Sequence, residues 1–167
     1  MNLAIDPGTR ALGFAIWNPD EPQIVACGVS RSETASPTEH ADTILRAALY
    51  RPIPRADVES MRWRPRDARS QPNDLIDVQT VGVLTAHYVG ARAIVMRPPQ
   101  EWKRNLPKAI HHARIFAALR ADLGEPAIVE RAYEAAGAHA KEVLDAVGIA
   151  LYVAGRIDES GKRRDER

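Results

Sequence analysis

Cysteine is almost missing from this 167-residue chain. Cys27 stands alone, so no intrachain disulfide can form, which fits a reducing compartment. Aromatic residues make up only 5%, so a core must rest on Ala, Val, Ile and Leu. Charge of one sign is not in excess. The formal net charge is +1, which by itself points to no class of partner. No apolar run is long enough to cross a bilayer. Met1-Asn2-Leu3-Ala4-Ile5-Asp6 has no basic region before its apolar stretch, so a signal peptide is not expected. A soluble, cytoplasmic protein is the expectation.

What is present is ordinary for a globular domain: 45% hydrophobic and 27% charged residues. The length suits a single domain with a real core. No repeat or linker interrupts the chain. Residues 1–157 read as one domain, and the charged stretch 158–167 as a tail expected to fray.

The positive charge is unevenly placed. Between Arg51 and Arg69 lie six arginines (51, 55, 62, 64, 66 and 69) against Asp57, Glu59 and Asp67. Between Arg92 and Arg120 lie seven Lys/Arg (92, 97, 103, 104, 108, 114 and 120) against Glu101 alone. Such segments attract polyanions. Taken singly, each is equally a solvated surface residue.

Apolar spacing and turn residues give the elements. Residues 2–6 form a short strand closed by Asp6, and Asp6-Pro7-Gly8-Thr9 is turn chemistry. Leu12, Phe14 and Ile16 alternate along a second strand, and 24–29 form a third, giving an antiparallel meander. A helix is predicted over 38–50 with Ile44, Leu45 and Leu49 inward. A strand follows over 55–61, then a helix from Asn73 or Asp74 to Val89. A strand over 91–97 is stopped by Pro98-Pro99. Helices over 107–119, 125–135 and 139–156 complete the chain. The order is that of an α/β fold: a mixed five-stranded sheet flanked by helices.

Four acids stand out. Asp6 closes the first strand, Glu59 lies at the end of the fourth, and Glu142 and Asp145 sit three apart on one face of the last helix. Acids aimed at a core are costly unless paired or metal-bound. Converging carboxylates suit Mg²⁺ or Mn²⁺. Taken alone, Glu59 and Glu142 are equally ordinary surface charges. His111 and His112 fall on a basic helix and are expected at the surface near phosphate. Adjacent histidines point to different faces, so a shared metal is not expected. Cys27 and Trp17 are read as part of the fold.

Leu3-Ala4-Ile5-Asp6-Pro7-Gly8-Thr9-Arg10-Ala11-Leu12-Gly13-Phe14-Ala15-Ile16 resembles the opening motif of the RuvC family of Holliday junction resolvases. Val58-Glu59 resembles the second motif, and Glu142-Val143-Leu144-Asp145-Ala146-Val147-Gly148-Ile149-Ala150 the last. The motifs fall in family order at family-like spacing over most of the chain. The resemblance implies an RNase H-like fold and a structure-selective endonuclease acting on four-way junctions or other branched DNA. It implies two Mg²⁺ ions (Mn²⁺ substituting) held by Asp6, Glu59, Asp145 and Glu142. Glu142 stands where the family more often has Asp or His. It also implies hydrolysis leaving 5′-phosphate and 3′-hydroxyl ends, and a homodimer, with the 74–89 helix as its candidate element.

Lys103 and Lys108 fall where the family carries lysines that reach the scissile phosphate; otherwise they meet only solvent. Trp63 falls where the family inserts an aromatic among bases, a stacking contact worth ~1–3 kcal/mol. Otherwise it packs on the sheet edge. Arg62, Arg64, Arg66, Arg69 and Arg104 are expected to grip phosphates beside it. The opening hairpin is shared with actin-like ATPases and sugar kinases, but those need two such domains and a second Gly-rich phosphate motif. A YqgF-like nuclease acting on structured RNA, and a nucleic-acid-binding module without catalysis, are the remaining alternatives.

Overall fold

A computed structural model describes residues 1–60, 72–103 and 106–158. Five strands form one sheet: β1 (Asn2–Asp6), β2 (Ala11–Asn18), β3 (Gln23–Arg31), β4 (Arg55–Glu59) and β5 (Ala93–Arg97). Their spatial order is β3-β2-β1-β4-β5. β1–β2 and β2–β3 pair antiparallel, whereas β4 runs parallel to β1, and β5 to β4. This is the mixed five-stranded sheet expected from the sequence, antiparallel on one side of β1 and parallel on the other. Among the described residues no helix is long and apolar enough to cross a membrane.

β1 is apolar on both faces because it is central and covered on both. Leu3 and Ile5 join Leu12, Phe14 and Ile16 under α1 (Pro37–Ala47) and α2 (Pro72–Tyr88). Ala4, Ala15 and Trp17 face the other layer, formed by α4 (Lys108–Ala118), α5 (Glu125–Ala136) and α6 (Ala140–Val153). α6 is buried from Val143 to Leu151. Its Ala- and Gly-rich sequence lets it lie between the sheet and the outer helices. A short α3 (Pro99–Trp102) follows β5, where the two prolines were expected only to stop the strand.

Several details differ from expectation. α1 is capped by Ser36, whose Oγ accepts from Glu39 N at 3.4 Å, but it ends at Ala47 rather than Tyr50. Leu49 and Tyr50 adopt φ of 52° and 54°, the left-handed region that costs a non-glycine residue ~1–2 kcal/mol. That reversal turns Leu49 outward to 74% exposure instead of inward. α6 ends at Val153, three residues short of the prediction. Beyond it Ile157 is in the core, and Asp158, placed by the sequence at the start of a frayed tail, is buried. Residues 159–167 lie outside the described ones.

One buried ion pair ties the helical layer to the sheet. The fully buried Glu125 accepts from Ile24 N on β3 at 2.7 Å and from Arg120 N at 2.6 Å. Arg156, beyond α6, donates to the same carboxylate at 2.6 Å. Removing the acid leaves two backbone N–H groups without an acceptor and takes the carboxylate from the part-buried Arg156, which keeps its bonds to the Pro22 and Ala118 carbonyls. Glu125→Ala is therefore expected to cost roughly 3–5 kcal/mol of folding stability, read from urea denaturation. A loss below ~1 kcal/mol would show the network to be dispensable.

Candidate metal centre

Parallel pairing sets the site. β1 and β4 run side by side with Ile5 opposite Val58, so Asp6 and Glu59 emerge together at the same edge of the sheet. α6 crosses the sheet face above β1 and delivers Asp145. Carboxylate oxygens of Asp6, Glu59 and Asp145 lie within 4.8 Å of one another. Glu59 and Asp145 are buried, and Asp6 is half-buried.

Close approach of backbones makes this possible. A Cβ at Gly13, the residue paired with Asp6, would collide with the Glu142 carbonyl. A Cβ at Gly82 of α2 would come within 2.8 Å of Pro7 Cβ, beside Asp6. Glycine at both positions lets α6 and α2 close on the Asp6 turn from opposite faces. That turn is also held by the buried His40, whose Nε2 lies 3.1 Å from Thr9 O and Nδ1 2.9 Å from Ser30 Oγ.

Two lysines and a histidine surround Asp145. Lys103 Nζ lies 3.1 Å from Glu59 Oε1 and 3.4 Å from Asp145 Oδ2, 4.4 Å from the centre of the Trp102 ring. Lys108 Nζ reaches Asp145 Oδ2 at 3.1 Å, and His112 Nε2 reaches Oδ1 at 3.3 Å. Burial alone would raise the Asp145 carboxyl. The His112 hydrogen bond and the two lysine charges outweigh it and hold the group below the usual carboxylate range. Asp6 goes the other way. Desolvation, then the charges of Glu59 and Asp145, push its carboxyl well above its ordinary range, and Lys103 offsets this only in part. Of the three acids, Asp6 is the one whose ionised form the site disfavours. A hard cation with oxygen ligands fits this donor set and would relieve the repulsion.

The other predicted residues fall variously. Glu142 is one turn before Asp145 but outside this group. Its Oε1 lies 4.0 Å from His139 Nδ1, and its buried Oε2 has no hydrogen-bond partner among the described residues. Lys103 and Lys108 meet carboxylates rather than only solvent. Arg62, Trp63, Arg64, Arg66, Arg69 and Arg104 lie outside the described residues. Arg55 and Arg97, counted in the two basic segments, each bond the buried Asp57 at 2.8 Å, and Arg97 also reaches Glu101 at 3.4 Å. Trp17 is in the core, and Cys27 is half-buried on β3, its thiol pushed up to about 12 by burial.

Sequence reasoning placed both His111 and His112 at the surface near phosphate; it misplaced His111 and did not foresee the contact of His112 with Asp145. His111 is buried, its ring 5.0 Å from that of Trp102, with no hydrogen-bond partner on either nitrogen among the described residues. His112 is the site residue. Its signal was its spacing of four from Lys108, which puts both on one face of α4.

The chain matches no protein-family model and no curated protein. It is similar to two solved structures of Thermus thermophilus RuvC. One, in complex with Holliday junction substrate, has 15% identity over 90% of this chain and 91% of that one, with a TM-score of 0.49. The other has 15% identity over 89% and 90%, with a TM-score of 0.47.

Burial lowers the His111 pKa from 6.5 to about 4. The folded state thus binds fewer protons than the unfolded chain between those values, so stability rises with pH across that window. The contribution is complete above pH ~6.5 and is lost as pH falls toward ~4, a change on the order of 3 kcal/mol. Denaturation midpoints across that range should lose part of their slope in His111→Leu. An unchanged slope would place the titration elsewhere.

Proposed function

We propose that this chain is a metal-dependent endonuclease that cleaves four-way junctions or other branched DNA, as its three motifs imply. The observation that carries the reading is the convergence of Asp6, Glu59 and Asp145 within 4.8 Å, with two lysines beside them. Two Mg²⁺ ions, or Mn²⁺, bound by these carboxylates would supply an activated water and charge stabilisation for phosphodiester hydrolysis. The protein's own groups do the rest. Lys103 and Lys108 exchange their carboxylate contacts for a phosphate and fix it over the acids. His112 holds Asp145 in place. Glu142, whose buried Oε2 has no hydrogen-bond partner among the described residues, is proposed as a further metal ligand one turn away. Arg62, Trp63, Arg64, Arg66, Arg69 and Arg104 are proposed to bind the DNA arms.

Two symmetric nicks need two active sites, so a homodimer goes with this reading. Exposed Ile76, Leu84 and Tyr88 lie on one side of α2, at 62%, 38% and 52% exposure. That is a stripe a second copy would cover. Leu84→Glu is expected to shift the chain to monomer by sedimentation, and an unshifted dimer would move the interface elsewhere.

The test uses labelled four-way junction, duplex and structured RNA with Mg²⁺. Symmetric junction nicking is expected. Asp6→Asn and Asp145→Asn should each reduce it by at least ~10³-fold while junction binding persists, as expected for groups acting in the transition state. Trimming of RNA with intact junctions would favour the YqgF-like alternative. Binding with no cutting at any divalent ion would favour a non-catalytic module.

A further inference from the structure

Beside the acidic group lies an open cleft of about 720 Å³, lined by Arg10, Arg31, Ser32, Glu33 and His139. None of these residues belongs to the basic segments read from the sequence. Its position follows from strand register. Gly13 pairs with Asp6, and Ala11, two residues along β2, pairs with Arg31. The cleft thus lies roughly 7 Å along the strand from the level of Asp6. Glu142 stands between: its backbone rests on Gly13, and its carboxylate faces His139, which lines the cleft.

The cleft is built for an anion in three respects. Arg10 is exposed and its side chain makes no hydrogen bond or ion pair among the described residues. Its backbone is fixed, because Ser32 N donates to Arg10 O at 2.9 Å. Ser32 Oγ in turn accepts from Ser36 N at 2.8 Å, which braces the loop carrying Glu33. Arg31 Nη2 donates to Ala136 O at 2.8 Å, so its guanidinium is anchored while its other N–H groups stay available. Two arginines and a histidine thus face one acid, Glu33. Planar guanidinium forks match the oxygens of a phosphodiester.

We infer that this cleft is a second phosphate subsite, which takes the backbone of the nucleic-acid strand next to the phosphate at the acidic group. Arg10 and Arg31 hold that phosphodiester on the side of the acids where β2 begins and β3 ends, and Glu33 tempers the grip. The inference rests on the nuclease reading. It adds a contact that fixes strand direction across the metal centre.

The full chain is titrated against labelled four-way junction, single-stranded DNA and structured RNA, with Ca²⁺ replacing Mg²⁺, over a range of KCl concentrations. One lost phosphate contact lowers the slope of log K against log salt by about 0.9 and weakens binding on the order of fivefold at low salt. Arg10→Ala is expected to do both, and Glu33→Gln to strengthen binding. Both side chains are exposed, so folding is not at stake. Arg46→Ala on α1, in the opposite helical layer, should leave the slope unchanged. Junction binding that neither Arg10→Ala nor Glu33→Gln alters overturns the subsite and leaves the nuclease reading standing. A slope change with RNA alone supports the subsite and overturns the DNA substrate. No binding to any of the three overturns both.

Discussion

Asp6, Glu59 and Asp145 hold their oxygens within 4.8 Å of one another. At such a separation two like charges near a protein surface repel by roughly 4 kcal/mol. A fold bears that repulsion only if cations meet it. Lys103 and Lys108 meet it at Glu59 and Asp145, His112 hydrogen-bonds Asp145, and the Asp6 carboxyl is left resisting ionisation. The asymmetry gives the site its chemistry. The side of the pocket nearest Asp6 calls for an added cation, whereas the side nearest Asp145 already carries positive groups that a phosphate could bind.

The scaffold exists to keep that arrangement stiff. Parallel β1 and β4 bring two acids to one edge, and the buried α6 brings the third. Gly13 and Gly82 let helices approach the Asp6 turn from both faces. His40 pins the turn from below, and the Glu125–Arg156 pair locks the helical layer to β3. Part of the positive charge counted in the two basic segments is spent inside the fold. Arg55 and Arg97 close on Asp57 along β4 and β5. Lys103 and Lys108 instead pair with the acids themselves, and Arg10 and Arg31 line a separate cleft.

Most of the sheet was legible because its signals are local. Alternation on β2, the Asp-Pro-Gly turn and the acids closing β1 and β4 are each written within a few residues. The convergence of Asp6, Glu59 and Asp145 was reachable only through motif resemblance, since no spacing rule joins residues 53 and 139 positions apart in the chain. Leu49 was misread because its left-handed backbone is invisible to periodicity. His111 was misread because burial beside Trp102 depends on how α4 packs against α6. The Arg10–Arg31 cleft was missed for the same reason. Those arginines lie far apart in sequence and meet only through the β2–β3 register.

The central claim is that the three carboxylates form one divalent-cation site. Anomalous diffraction from crystals soaked in Mn²⁺ tests it directly. A manganese peak at coordination distance from Asp6, Glu59 and Asp145 together is predicted, with Lys103 moved off Glu59. Manganese bound elsewhere, or the acids still closed on Lys103 at saturating Mn²⁺, would contradict it.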